Sequence, residues 1–498
     1  MQYASTRGGY GPVSAAQAIE AGIAPDGGLF VPLQEVKLDD FLAWRELDYA
    51  GRARQVLRAY LTDFTEEELA HCASNAYSDR NFDHPQVAPV VELAEDLFVL
   101  ELWHGPTSAF KDMALQILPY FLPLARRKNG GDQEIVILVA TSGDTGKAAL
   151  EGFKDVPGTR ILVFFPNQGV SEVQRLQMVT QAGGNVGVVA VQGNFDDAQG
   201  GVKAIFTDPQ LRAELARAGF VFSSANSINW GRLVPQIVYY FSAYLDLVQK
   251  GRLVAGAPVN FVVPTGNFGN ILAGYYARAA GLPVHKLICA ANSNNVLTDF
   301  VRSGTYDRRR PFYKTLSPSM DILVSSNLER LLYHLSDGDS AAVATWMGSL
   351  QREGLYSVSA GVQEKVRRLF WSDYADDQRT LDTIARAYRQ YGYVLDTHTA
   401  VGLAVYENYR RETGDPTPTV LLSTASPFKF NASVARALLG EAAVQGRSEF
   451  ALLELLSRHT GLAVPAGLRD LDKKPVRHKR VVEKSQMVLA VREFLGLA

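Results

Sequence analysis

Three times along this chain an unbroken apolar run ends in a loop of small and polar residues, and a helix-like segment follows. The first passage runs from Ile135–Val139 through Ala140-Thr-Ser-Gly-Asp-Thr-Gly146 to Lys147–Leu150. The second runs from Val259–Val263 through Pro264-Thr-Gly-Asn-Phe-Gly-Asn270 to Ile271–Tyr275. The third runs from Thr419–Leu422 into Ser423-Thr-Ala-Ser-Pro427. A run without polar alternation marks a strand buried on both faces, as in a parallel sheet covered by helices. Glycines let the backbone approach a ligand, and the amides opening the next helix point at an anion. Open α/β sheets bind ligands at such loops, at the carboxyl ends of their strands. Arg160–Phe165, Val186–Val191 and Lys286–Ala290 continue a rhythm that starts near Leu97. The expected fold class is therefore α/β, with open, mostly parallel twisted sheets flanked by helices.

The segment Glu101–Leu115 places Lys111 between Ala109-Phe110 and Met113-Ala114-Leu115. An ammonium is costly to bury, so a lysine held there tends towards the neutral amine, which condenses with aldehydes. The alternative is a lysine that opens a helix and reaches solvent. Ser108 and Ala109 leave room around its amine. His104 lies nearby and reads as a residue that shapes the loop. His398, in Asp396-Thr-His-Thr399, reads as a helix-start residue lining a site. Asn226, Ser227 and Arg232 combine a forked cation with short hydrogen-bonding groups, a set suited to a phosphate ester, although a polar helix start explains them as well. Gly266, Asn267, Phe268, Gly269 and Asn270 can offer several amides to one dianion. Gly146-Lys147 is not a Walker A loop, because Thr141 stands where its first glycine should be and Ala148 where its Ser/Thr should be. The charged run Lys473–Arg480 reads as a solvated surface loop.

With 50 Lys plus Arg against 52 Asp plus Glu, the net charge is -2, which gives no electrostatic case for nucleic acid or anionic membrane as a partner. No apolar stretch approaches membrane-spanning length, and the first residues lack a charged-then-apolar signal pattern. The only cysteines, Cys72 and Cys289, lie far apart, which suits a reducing cytoplasm and supports neither a disulfide framework nor a metal site.

Taken together these segments resemble the threonine synthases, within the fold-type II family of pyridoxal-phosphate enzymes. The resemblance rests on His104–Asp112, Thr141–Gly146, Gly266–Asn270, Asn226–Arg232, Tyr3–Gly8 and Ile23–Pro32, and runs in order from residue 3 to about residue 430. It implies pyridoxal 5'-phosphate as cofactor and Lys111 as the Schiff-base residue. It implies a cofactor-phosphate loop at Gly266–Asn270 and a hydroxyl partner for the pyridine nitrogen at Thr424, with Ser423 second. Thr141, Ser142 and Thr145 would bind substrate, and Asn226, Ser227 and Arg232 its phosphate. Asp144 stands where many relatives have asparagine near the cofactor's phenolic oxygen; a carboxylate there either points away or shares a proton. Many relatives also carry His where this chain has Ser426. The implied reaction turns O-phospho-L-homoserine and water into L-threonine and phosphate, by γ-elimination and addition of water at Cβ. A phospho-lyase giving 2-oxobutyrate, a serine/threonine dehydratase and a non-catalytic binding protein are the competing readings. The expected partner is a small-molecule substrate, and the expected assembly a monomer or homodimer.

The expected organisation has four parts. Residues 1–95 form a mostly helical region in which Thr65 caps a helix opened by three glutamates. Residues 96–297 form the first part of the α/β core, with a smaller subdomain near 130–200. Residues 298–391 form a helical insertion, and 392–498 return to the core and end in helices.

Overall fold

The computed structural model describes every residue except Ser142, Gly169 and Ala498. Two sheets organise it. The larger has six strands in the order Phe370–Tyr374, Val284–Ala291, Val259–Pro264, Thr419–Ser423, Leu97–Glu101, Val90–Ala94. All neighbours in it are parallel except the last pair. Val259–Pro264, Thr419–Ser423 and Leu97–Glu101 are buried along their whole length, as continuous apolar strands must be when helices cover both faces. They are also adjacent and parallel, so the loops after Glu101, Pro264 and Ser423 emerge side by side at one edge.

The smaller sheet is parallel throughout, in the order Val481–Val482, Val186–Val191, Thr159–Pro166, Glu134–Ala140, Phe220–Ser223. It is wider than the subdomain expected near 130–200. Phe220–Ser223 adds one edge and the chain's last strand adds the other. The helix Met487–Leu495 packs Met487, Val491 and Leu495 into this sheet's own core beside Val189 and Val191.

The amino-terminal region contains the helices Ala15–Ala21, Tyr49–Tyr60 and Glu66–Ala76, with a two-stranded antiparallel pair, Tyr3–Ser5 and Phe30–Pro32. Thr65 and Glu68 make the reciprocal capping bonds expected of them. The fully buried Arg330 fastens this region to the core by donating to the Phe30 and Ile228 carbonyls and to Asn327 Oδ1.

Residues 298–391 depart from the helical expectation at two places. Thr305–Asp307 pairs with Leu355–Ser357, and Phe370–Tyr374 is the outer strand of the larger sheet. The sequence Phe-Trp-Ser-Asp-Tyr hides this strand because Ser372 and Asp373 interrupt its apolar run. Both polar residues are buried but satisfied: Ser372 Oγ donates to the Cys289 carbonyl, and Asp373 accepts from Arg302. Among the described residues no helix is long and apolar enough to cross a membrane.

Candidate active site

The loop after Glu101 is docked on the loop after Ser423. The Phe110 N–H donates to the Thr424 carbonyl at 2.9 Å, the Ser426 N–H donates to the Ser108 carbonyl at 3.0 Å, and Ala109 bridges Ala425. Ser108 takes a left-handed conformation, φ 58°, which costs a non-glycine residue about 1–3 kcal/mol and persists because both flanks are pinned. Gly105 admits no side chain, since a Cβ there would stand 2.5 Å from that of Asp112. Asp112 is buried and accepts from the Thr107 N–H and hydroxyl, both at 2.8 Å; burial nevertheless lifts its carboxyl to about 6.

Lys111 precedes the short helix Asp112–Leu115, and its Nζ lies 4.0 Å from Asp144 Oδ2. Burial pushes its amine down to about 8; Asp144 opposes the shift, and Lys429 and Arg232 reinforce it. Asp144 is the first residue of the helix Asp144–Phe153. It neither points away nor stands alone. Its carboxylate lies 3.3 Å from Lys429 Nζ and accepts from Gln174 Nε2 and Ser319 Oγ, both at 3.2 Å. Burial would raise its pKa, but Lys429 and Lys111 hold it well below the usual carboxylate range.

The loop after Pro264 ends at the helix Gly269–Ala279, with Phe268 left-handed at φ 65°. None of the N–H groups of Asn267, Phe268, Gly269 and Asn270 meets a described protein acceptor. Asn270 Oδ1 takes the hydroxyls of Tyr239 at 2.6 Å and Tyr240 at 3.0 Å, which orients the side chain, yet its buried Nδ2 has no partner among the described residues. Gly266 is required by packing, because a Cβ would stand 2.7 Å from the Ser319 carbonyl oxygen. A Cβ at Gly269 would meet only ordinary contacts with Asn327 and Gln236.

Arg232 sits in the first turn of the helix Trp230–Gln249, one turn before Gln236. It is buried and donates one N–H to the Ala225 carbonyl at 2.9 Å, while its Nε has no partner among the described residues. Burial pushes its guanidinium down to about 10, so it stays charged near neutral pH. Ser227 is half-buried and donates to Asn226 Oδ1 at 3.3 Å; Asn226 itself is exposed. The asparagine that caps this helix is Asn229, through its bond to the Gly231 N–H.

Several expected donors turn out to be engaged. Thr141 Oγ1 accepts from the Gly143 and Gly146 N–H groups, both at 3.0 Å, and donates to the Gly143 carbonyl. This hydroxyl closes on its own loop, because a helix start without another side-chain cap needs an acceptor there. Thr145, half-buried, makes no side-chain bond among the described residues, and Ser142 lies outside them. Ser423 Oγ accepts from Trp103 Nε1 at 3.1 Å and from Thr399 Oγ1 at 3.2 Å, whereas Thr424 makes no side-chain bond among the described residues and lines the cleft with Lys111, Asp144, Ser319 and His398. His398 Nδ1 is bonded to Asp396 at 2.9 Å, and its Nε2 accepts the Ser319 N–H at 3.1 Å, so that nitrogen carries no proton. His104 is bonded to Asp83 at 2.6 Å and Glu101 at 2.8 Å and stacks on Trp103. Among the described residues no group of three or more His, Cys, Asp and Glu could hold a metal.

The sequence reading missed Lys429, whose ammonium is fully buried and donates to the Thr107 carbonyl at 2.7 Å. The signal was the one used for Lys111: a lysine set between apolar neighbours, here Phe428 and Phe430.

Comparison with known proteins agrees with this geometry. The family description "Threonine synthase N terminus" matches residues 2–77, "Pyridoxal-phosphate dependent enzyme" 84–363, and "Threonine synthase, C-terminal" 399–494. Threonine synthase from Pseudomonas aeruginosa is 42% identical, over 89% of this chain and 91% of its own length. The chain belongs to the threonine synthase family. Human threonine synthase-like 1 is 40% identical over 85% of this chain, which spans only 58% of that relative's length. The crystal structure of pyridoxal-phosphate-bound threonine synthase from Brucella melitensis superposes with a TM-score of 0.88 at 36% identity, covering 99% of both chains. The yeast enzyme gives 0.88 at 33%, covering 100% of this chain and 99% of its own.

Pyridoxal phosphate is the cofactor of this family, and the residues present fit it. A dianion needs donors, and the Asn267–Asn270 amides together with Asn270 Nδ2 are buried or helix-start donors without protein acceptors. An aldehyde needs an amine that loses its proton near neutral pH, and burial makes Lys111 such an amine.

Proposed function

We propose that the protein converts O-phospho-L-homoserine and water to L-threonine and phosphate. The observation that carries this reading is Arg232: a buried guanidinium with a free Nε, close enough to Lys111 to depress its amine, in a chain whose Gly266–Asn270 loop already offers a separate set of anion donors. A substrate with a phosphate leaving group needs such a second site; free serine or threonine does not.

When bound, pyridoxal phosphate supplies the electron sink for charge left on carbon. In this reading Lys111 Nζ would hold the cofactor, and its free amine would take and return the protons at Cα and Cβ. The Gly266–Asn270 amides and Asn270 Nδ2 would hold the cofactor phosphate, with Asn267 and Phe268 shaping the turn, and the Thr424 hydroxyl would serve as partner to the pyridine nitrogen. Arg232, with Ser227 and Asn226, grips the substrate phosphate and stabilises it as the Cγ–O bond breaks. Thr145 and the free amides opening the Asp144 helix bind the substrate carboxylate, and Ser142 belongs to the same loop. Cytoplasmic action as a monomer or homodimer, with a small-molecule substrate and no nucleic-acid or membrane partner, completes the reading; Cys72 and Cys289 are buried free thiols, which suits a reducing compartment.

Incubating the purified holoenzyme with phosphohomoserine tests this. Threonine and phosphate should appear in equal amounts. Phosphate accompanied by 2-oxobutyrate instead of threonine would assign the protein as a phospho-lyase and sink the proposal.

A further inference from the structure

Lys429 is a buried cation beside the reactive lysine, and none of the roles above employs it. It lies in the turn Pro427–Phe430, which Ser426 opens by accepting the Phe428 N–H at 3.3 Å. Its ammonium donates to the Thr107 carbonyl and lies 3.3 Å from Asp144 Oδ1. The other carboxylate oxygen faces Lys111 at 4.0 Å and takes the Ser319 hydroxyl. Asp144 thus stands between two lysines, nearer the one with no route to solvent. A methionine would fill the same space without the desolvation cost of a buried ammonium. What a methionine lacks is charge. A carboxylate about 4–6 Å from a lone buried lysine favours its ammonium form, and a second ammonium behind that carboxylate counters the pull.

We propose that Lys429 is a positioning residue: it pairs with Asp144 from behind, holds that carboxylate off Lys111, and leaves Lys111 free to lose its proton and react as an amine. The inference rests on the reading of Lys111 as the cofactor-bearing lysine. Other charges face this cluster. Arg232 approaches Lys111 from its own helix, Asp112 is the next residue, and Glu151 acts on Asp112. Lys147 is influenced by Lys429, and His398 faces Asp144 with an unprotonated Nε2. For Lys111 itself, burial and the cations Lys429 and Arg232 lower the pKa, and Asp144 and Asp112 raise it.

The test is the pH dependence of Lys111 labelling by formaldehyde and cyanoborohydride, in the full-length protein freed of cofactor and read on the peptide spanning residues 101–115. The midpoint should rise by about one unit or more in Lys429→Met, a roughly tenfold slower labelling near neutral pH, and return in Lys429→Arg. An unmoved midpoint in folded Lys429→Met, or an equally raised one in Lys429→Arg, overturns the proposal. If Lys429→Met fails to fold, Lys429→Gln replaces it, because its amide can still donate to the Thr107 carbonyl while carrying no charge. The midpoint should rise as for Lys429→Met, and an unmoved midpoint overturns the proposal. Borohydride fixing the cofactor to another peptide rejects the reading of Lys111 and this inference together. Normal attachment with an unmoved midpoint rejects this inference alone.

Discussion

The loops after Ala140 and after Pro264 share one sequence grammar but differ in how far they satisfy their own amides. Both follow a buried parallel strand, both hold glycines and hydroxyl or amide residues, and both open a helix. In the first, Thr141 Oγ1 closes on the Gly143 and Gly146 amides, and its methyl occupies the space a Cβ at Gly146 would need. In the second, four successive amides and Asn270 Nδ2 have no acceptor among the described residues, and Phe268 is held left-handed. The first loop thus pairs part of its helix start and leaves only the Asp144 and Thr145 amides without a described acceptor. An open loop carries unsatisfied donors at about 1–3 kcal/mol for each that is buried, a cost that an anion can offset. Glycine content does not separate the two; the unpaired donors do.

The largest expected effect lies where the open side meets covalent chemistry. Lys111→Ala should abolish turnover, and borohydride should no longer fix cofactor to the 101–115 peptide. Residual turnover above about one-thousandth of the original would remove Lys111 from its role. Arg232→Ala comes next. Losing charge-assisted bonds worth about 1.5–3 kcal/mol should cut phosphohomoserine turnover roughly tenfold or more, with cofactor affinity little changed. An equal fall for phosphohomoserine and for any weak activity on serine would show that Arg232 is not the phosphate clamp.

A paired experiment tests the contrast between the loops directly. Asn270→Ala should weaken cofactor binding by about 1–2 kcal/mol, roughly five- to thirtyfold, while apo-protein stability changes less. Thr141→Val leaves two helix-start amides unpaired and should lower apo-protein stability by about 1 kcal/mol, with cofactor affinity nearly unchanged. Denaturant melts and cofactor titrations on both variants decide. If the two profiles are exchanged, the assignment of open and closed loops is wrong.

Most of the fold was legible because buried parallel strands are long apolar runs, and both sheets were visible through Ile135–Val139, Val259–Val263 and Thr419–Leu422. Phe370–Tyr374 was not, because an outer strand carries polar residues whose partners, Cys289 and Arg302, are distant in sequence. The carboxyl-terminal strand was not, because two residues make no pattern. Within the site, Lys111 was legible from the clash between its charge and its neighbours. The state of Asp144 was not, because it depends on Lys429, 285 positions away in the chain, and on Ser319 in a connection with no regular pattern. The bonds of Thr141 to its own loop were not legible for a local reason: a hydroxyl in a glycine loop serves a ligand or the loop's own amides equally well on paper.

The smallest expected effect concerns His104, a fully engaged donor like Thr141 and therefore expected to act on stability more than on chemistry. Burial alone would depress its imidazolium, but hydrogen bonds to Asp83 and Glu101, with their charges, raise it to about 9. In the unfolded chain a histidine titrates near 6.5. A group whose folded pKa is raised contributes stability that is fully present below its unfolded pKa and is lost as pH rises through the folded one. The window is therefore about pH 6.5 to 9. Asp83 is largely in water, with its side chain 59% exposed, so the full shift overstates the gain, and about 1 kcal/mol remains after screening. Lys111 titrates in the same window with the opposite shift, so the quantity to measure is a difference. Urea melts at pH 6 and pH 9.5 should show the unaltered protein losing about 1 kcal/mol more than His104→Gln between the two. An identical pH dependence in the variant would mean that the imidazole is neutral in the fold. A neutral imidazole carries one N–H, so it would donate to only one of Asp83 and Glu101, and its other nitrogen would face a carboxylate without a hydrogen bond.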